Sequence, residues 1–384
     1  MKIMTRLYKP LFYIALILEL IFMLIEKSEF SFEYDSYAFR VSFVFALAAL
    51  FCLKHSKKEW VLIVVTFIFT AICYKITGRN ELMRVAAFVM AARDIDLGKA
   101  MKITFYVAAA GAATIVLLAA LGIMGDMYLV RDFGRGNANE LRYVFGFGHP
   151  NTLFSSIYAL ILMWIWLYGS KAKKYAYIIV AAVCAGLCFF TKSRTGMLIL
   201  FMTLAAAVAV RLLPTLRFKK TIYALTAAIS PVICVLLSVL AAWAAGSTYI
   251  KPGRAFELYY WKIEELINYR MSNLYYESFE HGAVLYNWKL FSSPTAESYF
   301  DMGWVRLYYW YGIIPATLIV LLIIFFVYLC WKNKDIWSLV IVLSLGVYTI
   351  IEATFVSRYI GRNFFLLIFA VYLGNFVKKG FSDR

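Results

Sequence analysis

Charge is scarce in this chain: only 16% of its 384 residues are Asp, Glu, Lys or Arg, while 63% are hydrophobic. A soluble domain runs nearer a quarter charged and half apolar, so a single water-solvated core is excluded and lipid is the expected solvent. Loop cysteines are also missing. Cys52, Cys73, Cys184, Cys188, Cys234 and Cys330 all fall inside or at the ends of apolar runs, which excludes a disulfide framework. Cys184 and Cys188 share a helix face, but two thiols are too few for a metal site and read as packing. No small-residue cleavage site follows the first apolar stretch, Leu11 to Ile25, so a first span is expected there rather than a signal peptide. Internal repeats, low-complexity tracts and the interrupted helices of transporters are not evident either. Asp94-Ile-Asp96 imitates the metal signature of nucleotide-sugar transferases, but it stands apart from every other motif and reads as a solvated turn. With no outer Asp/Glu/His constellation at metal spacing, no metal and no cofactor is expected.

What is there is a series of apolar runs, many of them about 18 residues or longer, the length that reads as a spanning helix. The expected fold is all-α, a single integral membrane domain over 1–384 with about twelve spans. These are 10–26, 37–53, 60–76, 82–93, 103–123, 150–168, 175–191, 196–213, 222–245, 304–330, 336–355 and 363–377. The excess of 39 Lys and Arg over 22 Asp and Glu gives a formal charge of +17. That charge sits in short clusters between apolar runs, which is a membrane-orientation pattern and not a nucleic-acid footprint. Lysine-rich clusters at the N-terminus, 54–58, 93–102, 171–174, 211–220, 332–334 and 378–384 define a cytoplasmic side that holds both termini. The opposite side carries two long loops, about 124–149 and 246–303, expected to cover an active site.

Orientation rules would keep cations off that outer side, yet arginines gather there: Arg79, Arg84, Arg131, Arg135, Arg142, Arg194, Arg254, Arg270, Arg306, Arg358 and Arg362. The planar guanidinium binds phosphate oxygens in a bidentate fork, so an anionic, phosphate-bearing ligand fits, while pairing with the outer acids accounts for part of the set. Glu19, in the middle of the first span, needs a partner. Glu352, late in an apolar span, would find one in Arg358 or Arg362.

Three outer segments stand out. The first is Arg142-Tyr-Val-Phe-Gly-Phe-Gly-His149-Pro150-Asn151. The second is Ser193-Arg194-Thr195-Gly196. The third is Phe300-Asp301-Met302-Gly303-Trp304, followed by Tyr311-Gly312-Ile-Ile-Pro315. In this order and on one side, they resemble the Wzy-type polysaccharide polymerases, within the wider group that includes O-antigen ligases. The resemblance extends to Asn268-x-Arg270, Glu352 and Asn363. Trp304 stands where a tyrosine is common and Met302 where an asparagine is usual. An arginine, ten residues and a glycine, here Arg135 to Gly146, is similar to a looser pattern in O-antigen polymerases.

The resemblance implies an enzyme of the bacterial cell membrane, with its active site on the outer face. It would join oligosaccharide units carried on undecaprenyl pyrophosphate, without metal. Partners would be that lipid-linked oligosaccharide, the bilayer, and candidate flippase and chain-length regulator proteins. Arg142, Arg194 and Arg270 lead as pyrophosphate ligands, with Asn151, Arg135 and Arg306 beside them. Asp301, His281 and His149 are the candidate acid–base groups; His149 also reads as a helix cap, since Pro150 can open the following span at its first turn. A ligase-like transferase with another acceptor and a flippase or transporter are the alternatives.

Overall fold

The computed structural model describes residues 2–30, 35–133, 139–249, 257–267, 269–276, 282–294, 300–353, 356–357 and 360–382. Among these, eight helices are long and apolar enough to cross a membrane, and two shorter apolar helices, Tyr37–Cys52 and Ile336–Tyr348, accompany them. The chain is a multi-pass α-helical membrane protein.

In chain order the first five helices are α1 (Lys2–Glu26), α2 (Asp35–Cys52), α3 (Lys57–Thr77), α4 (Glu81–Ala91) and α5 (Leu97–Ala120). Local chemistry marks their ends. Ser56 and Glu59 form a reciprocal capping box at the start of α3, and Gly78 closes it in the left-handed conformation. Asp96 caps α5 by accepting from the Lys99 amide at 2.8 Å. Asp94-Ile-Asp96 is therefore a structural turn, though not simply a solvated one: Asp94 is ion-paired to Arg93 and Lys378.

The next stretch departs from the all-α expectation. Strands β1 (Tyr128–Asp132) and β2 (Asn139–Tyr143) pair as an antiparallel hairpin. Glu29, in the turn beyond α1, holds the base of this hairpin: its carboxylate accepts from the Asp126 amide, and its own amide donates to the Gly146 carbonyl at 3.0 Å. Gly125 and Gly148 pack so close to Glu29 that a Cβ would crowd it.

Helices α6 (Pro150–Tyr168), α7 (Lys174–Thr191) and α8 (Arg194–Leu212) follow as expected. Two expected spans are interrupted. The ninth is α9 (Lys220–Ala227) and α10 (Cys234–Tyr249), joined by a π-turn whose Ser230 leaves helical geometry just before Pro231. The tenth is split into α13 (Gly303–Tyr311) and α14 (Ile313–Lys332) by Gly312, whose φ of +92° lies outside the helical region. A side chain at Gly312 would also strike the backbone of Phe291 and Ser292. Between these breaks lie two short helices, α11 (Glu257–Leu266) and α12 (Arg270–Tyr276). Helix α15 (Ile336–Tyr348) stops short of the expected end at 355, and α16 (Ile360–Ser382) completes the bundle.

Helices α6 and α15 form the centre, and their buried faces carry a polar seam. Asn151 on α6 meets Glu352, in the turn beyond α15, at 2.9 Å. One turn along, Ser155 meets the Tyr348 hydroxyl at 3.3 Å. Further in, Tyr158 meets Thr203 of α8 at 2.8 Å, and Thr203 meets Ser344 at 2.9 Å. Matching i, i+4, i+7 positions on α6 with i, i+4, i+8 on the other side sets one register between the helices, the best-attested use of polar groups in a lipid-solvated core.

Candidate functional site

The Arg142, His149, Asn151, Arg270, Asp301 and Glu352 positions, scattered over 210 residues of sequence, converge at the Asn151–Glu352 end of that seam. Arg270 is the hub. Its Nη1 donates to Asp301 Oδ2 at 2.6 Å and to the Ile351 carbonyl at 2.7 Å, and its Nη2 donates to Glu352 Oε1 at 2.7 Å. Glu352 Oε1 accepts from the Asn151 side chain as well. Glu352 thus takes Arg270 and Asn151 as partners; Arg362 goes instead to Glu81 and the Val356 carbonyl, and Arg358 lies outside the described residues.

The Arg270 position is fixed from behind. It opens α12, whose first amides are capped by the buried Glu264: Met271 and Ser272 both donate to its carboxylate at 2.8 Å. Tyr269, just before, holds a φ of +59°, a strained value for an aromatic residue that local contacts must maintain. Asp301 differs from Glu352 in access. Its side chain is 41% exposed, against 8% for Glu352.

The hairpin contributes the cations. Arg142 donates through both Nε and Nη2 to one oxygen of Glu140, at 2.9 and 2.7 Å, and lies 3.9 Å above the Phe133 ring. Arg131 stands opposite Glu140 in the strand register and 4.9 Å from the same ring. Two guanidinium groups therefore lie against one aromatic ring, and Glu140 pairs with Arg142, leaving a net positive wall.

His149 caps α6: its Nδ1 accepts from the Asn151 amide at 3.1 Å. Burial and then Arg131 push its pKa below the usual histidine value; Asp301 opposes the shift, and Arg142 and Arg270 add to it. A neutral ring accepting at Nδ1 carries its proton on Nε2. His149 is thus equipped to donate a hydrogen bond, not to take up a proton, unless the cap breaks.

The other expected residues that are described fall elsewhere. Ser193 caps α8 by accepting from the Gly196 amide at 3.2 Å, and Gly196 lies against the Phe154 ring; that motif is accounted for by capping and packing. Arg194 is exposed and makes no ion pair or hydrogen bond with the described residues. Arg306 is fully buried, donates to Ser357 at 2.7 Å and packs against Phe300 and Trp310. Arg135, Asn268 and His281 lie outside the described residues. Glu19 finds Arg84 at 3.0 Å, with Ser42 donating to the same carboxylate. No group of three or more His, Cys, Asp or Glu side chains at metal-binding spacing occurs among the described residues.

Sequence reading missed Glu140, Phe133 and Glu264. Glu140 lies two residues from Arg142, the same-face spacing of a strand, so recognising the hairpin would have found it.

No protein-family model, no curated protein and no solved structure matches this chain.

Proposed function

We propose that this protein transfers a growing glycan from a lipid pyrophosphate carrier to the free sugar end of the next carrier-linked unit, at the arginine-rich end of the bundle facing away from the cytoplasm. The observation that carries the reading is the Arg270–Asp301–Glu352–Asn151 cluster, in which the motif residues meet beside the Arg131–Arg142 wall.

Each group has a task in that reaction. The bond from the donor sugar's anomeric carbon to the pyrophosphate oxygen breaks, and a bond from that carbon to the acceptor hydroxyl oxygen forms. The hydroxyl proton goes to Asp301, the exposed carboxylate, which Arg270 holds in place. Charge developing on the departing pyrophosphate meets Arg131, Arg142 and the His149 Nε2–H. Glu352 and Asn151 keep Arg270 aimed and are positioning residues. Arg194 would meet the carrier only as it approaches.

One observation favours a second reading. The interruptions at Ser230–Pro231 and Gly312 are of the kind transporters use, so a flippase for the same lipid-linked sugars is the competing account. Purified protein in vesicles, given carrier-linked repeat units, separates the two. The transferase reading expects a ladder of longer glycans and release of carrier pyrophosphate. Movement of intact units across the vesicle wall with no new glycosidic bond would overturn it.

A further inference from the structure

Away from the outer cluster, a long apolar slot of about 390 Å³ runs through the spanning region between α3, α4, α14 and α16. Interiors pack without gaps of this size unless something fills them. On α16 the lining extends from Arg362 to Val377, about 22 Å at the rise of an α-helix, a length that one extended fatty-acyl chain fills. Leu62 of α3 and Leu318 and Leu322 of α14 line the slot and are also exposed on the bundle surface, so it opens sideways into lipid.

The two ends of the slot differ. The end near α13 is closed by its own polar contacts: Tyr311 donates to Glu81 at 2.6 Å, Arg362 pairs with Glu81 at 3.6 Å, and Arg79 stacks on Trp310 at 4.3 Å. The other end is lined by His55, Arg93, Gly374 and Val377. Around it lie Lys54, whose carbonyl accepts from Arg93, Lys57 and Lys58 in the first turn of α3, and Lys378, bonded to Asp94. Among the described residues at this end, Arg93, Lys54, Lys57, Lys58 and Lys378 outnumber the carboxylates Glu59 and Asp94, and both of those are already bound by Arg93. Lys54, Lys57 and Lys378 are exposed.

We infer that this slot is a binding site for an anionic glycerophospholipid, with one acyl chain between α3 and α14 and the phosphate headgroup against Lys54, Lys57 and Lys378. Lysines suit this task because a diffuse, hydrated headgroup asks for charge and not a rigid fork. The closed, ion-paired opposite end leaves no seat for a headgroup there. The site is independent of the proposed transferase reaction.

The test uses full-length protein in nanodiscs of phosphatidylcholine containing a minor fraction of phosphatidylglycerol, released gently for native mass spectrometry. Wild type should retain one phosphatidylglycerol with at least about a tenfold preference over its share of the bilayer, as expected of several lysines near one headgroup. Ala86→Phe, which fills the slot from α4, should abolish retention; Phe69→Trp, from α3, serves if that variant folds poorly. The Lys54→Gln, Lys57→Gln, Lys378→Gln variant should still hold a lipid but lose the preference. Retention in proportion to bilayer composition would overturn the inference. So would retention unaffected by slot filling, or displacement of phosphatidylglycerol by equimolar polyprenyl phosphate.

Discussion

Two largely buried arginines at opposite ends of the bundle are built alike. Arg270 binds Asp301, Glu352 and the Ile351 carbonyl; Arg93 binds Glu59, Asp94 and the Lys54 carbonyl. Each has a histidine nearby whose pKa burial lowers, His149 in one case and His55 in the other. What differs is closure. At Arg93 both carboxylates are largely covered and already employed: Glu59 completes a capping box and Asp94 also holds Lys378 of α16. The Arg93 cluster is a latch that ties the α3 and α4 ends to the last helix. At Arg270 one carboxylate is open to solvent, the contributing segments are far apart in sequence, and a cationic wall stands alongside. The same ionic unit is sealed at one end and open at the other, and the proposed reaction uses the open one.

Variants of the two arginines probe that contrast most strongly. Removing Arg270 leaves Glu352 buried without its cation, a loss of about 3–5 kcal/mol. Arg270→Ala should therefore lower both abundance and polymer formation. Pairing it as Arg270→Met with Glu352→Gln should restore abundance, measured by thermal unfolding in detergent, and leave polymer absent. Restored polymer in the double variant would demote Arg270 to scaffolding. Arg93→Ala should cost comparable stability, while the activity of each folded molecule stays at the wild-type level. A collapse of specific activity in folded Arg93→Ala protein would erase the distinction between clasp and centre.

A smaller effect separates the histidines. The pKa of His149 is lowered in the folded chain, so folding favours the neutral ring. That stabilisation is complete above the ordinary histidine value of about 6.5 and is lost as pH falls through the lowered folded value. Protonation also ends the Nδ1 acceptor role at the α6 cap. Activity should fall on the acid side of neutrality, and His149→Gln should flatten that limb; an unchanged limb would remove His149 from the account. The smallest change is expected in the seam: Tyr348→Phe removes one interhelical hydrogen bond, worth about 0.6 kcal/mol in membranes, and should lower the melting temperature slightly without changing glycan length.

Much of the helical frame was legible because apolar run length and capping chemistry are local. The expected 150–168 coincides with α6, and 175–191 differs from α7 by one residue at its start. The breaks had signals that went unused: Pro231 inside one apolar run, and Gly312 followed by Pro315 inside another. The hairpin was harder, since two five-residue strands give only a short alternation. At the site, Arg142, His149, Asn151, Arg270, Asp301 and Glu352 were all visible as motif residues, but their pairing was not. Glu352 meets Arg270 across 82 positions and Asn151 across 201, and nothing in a single sequence encodes such contacts. The Glu19–Arg84 and Glu59–Arg93 pairs escaped for the same reason.

The most direct measurement concerns Asp301, the open carboxylate that the proposed reaction uses to take the acceptor proton. Asp301→Asn keeps the side-chain size and a hydrogen-bond acceptor toward Arg270 but cannot serve as a base at neutral pH. Purified Asp301→Asn protein, reconstituted with carrier-linked repeat units, should bind the units with wild-type affinity and form new glycosidic bonds at least about a hundredfold more slowly, the lower range for loss of general-base catalysis. A wild-type ladder of products at the wild-type rate would contradict the assignment of this cluster as the catalytic centre.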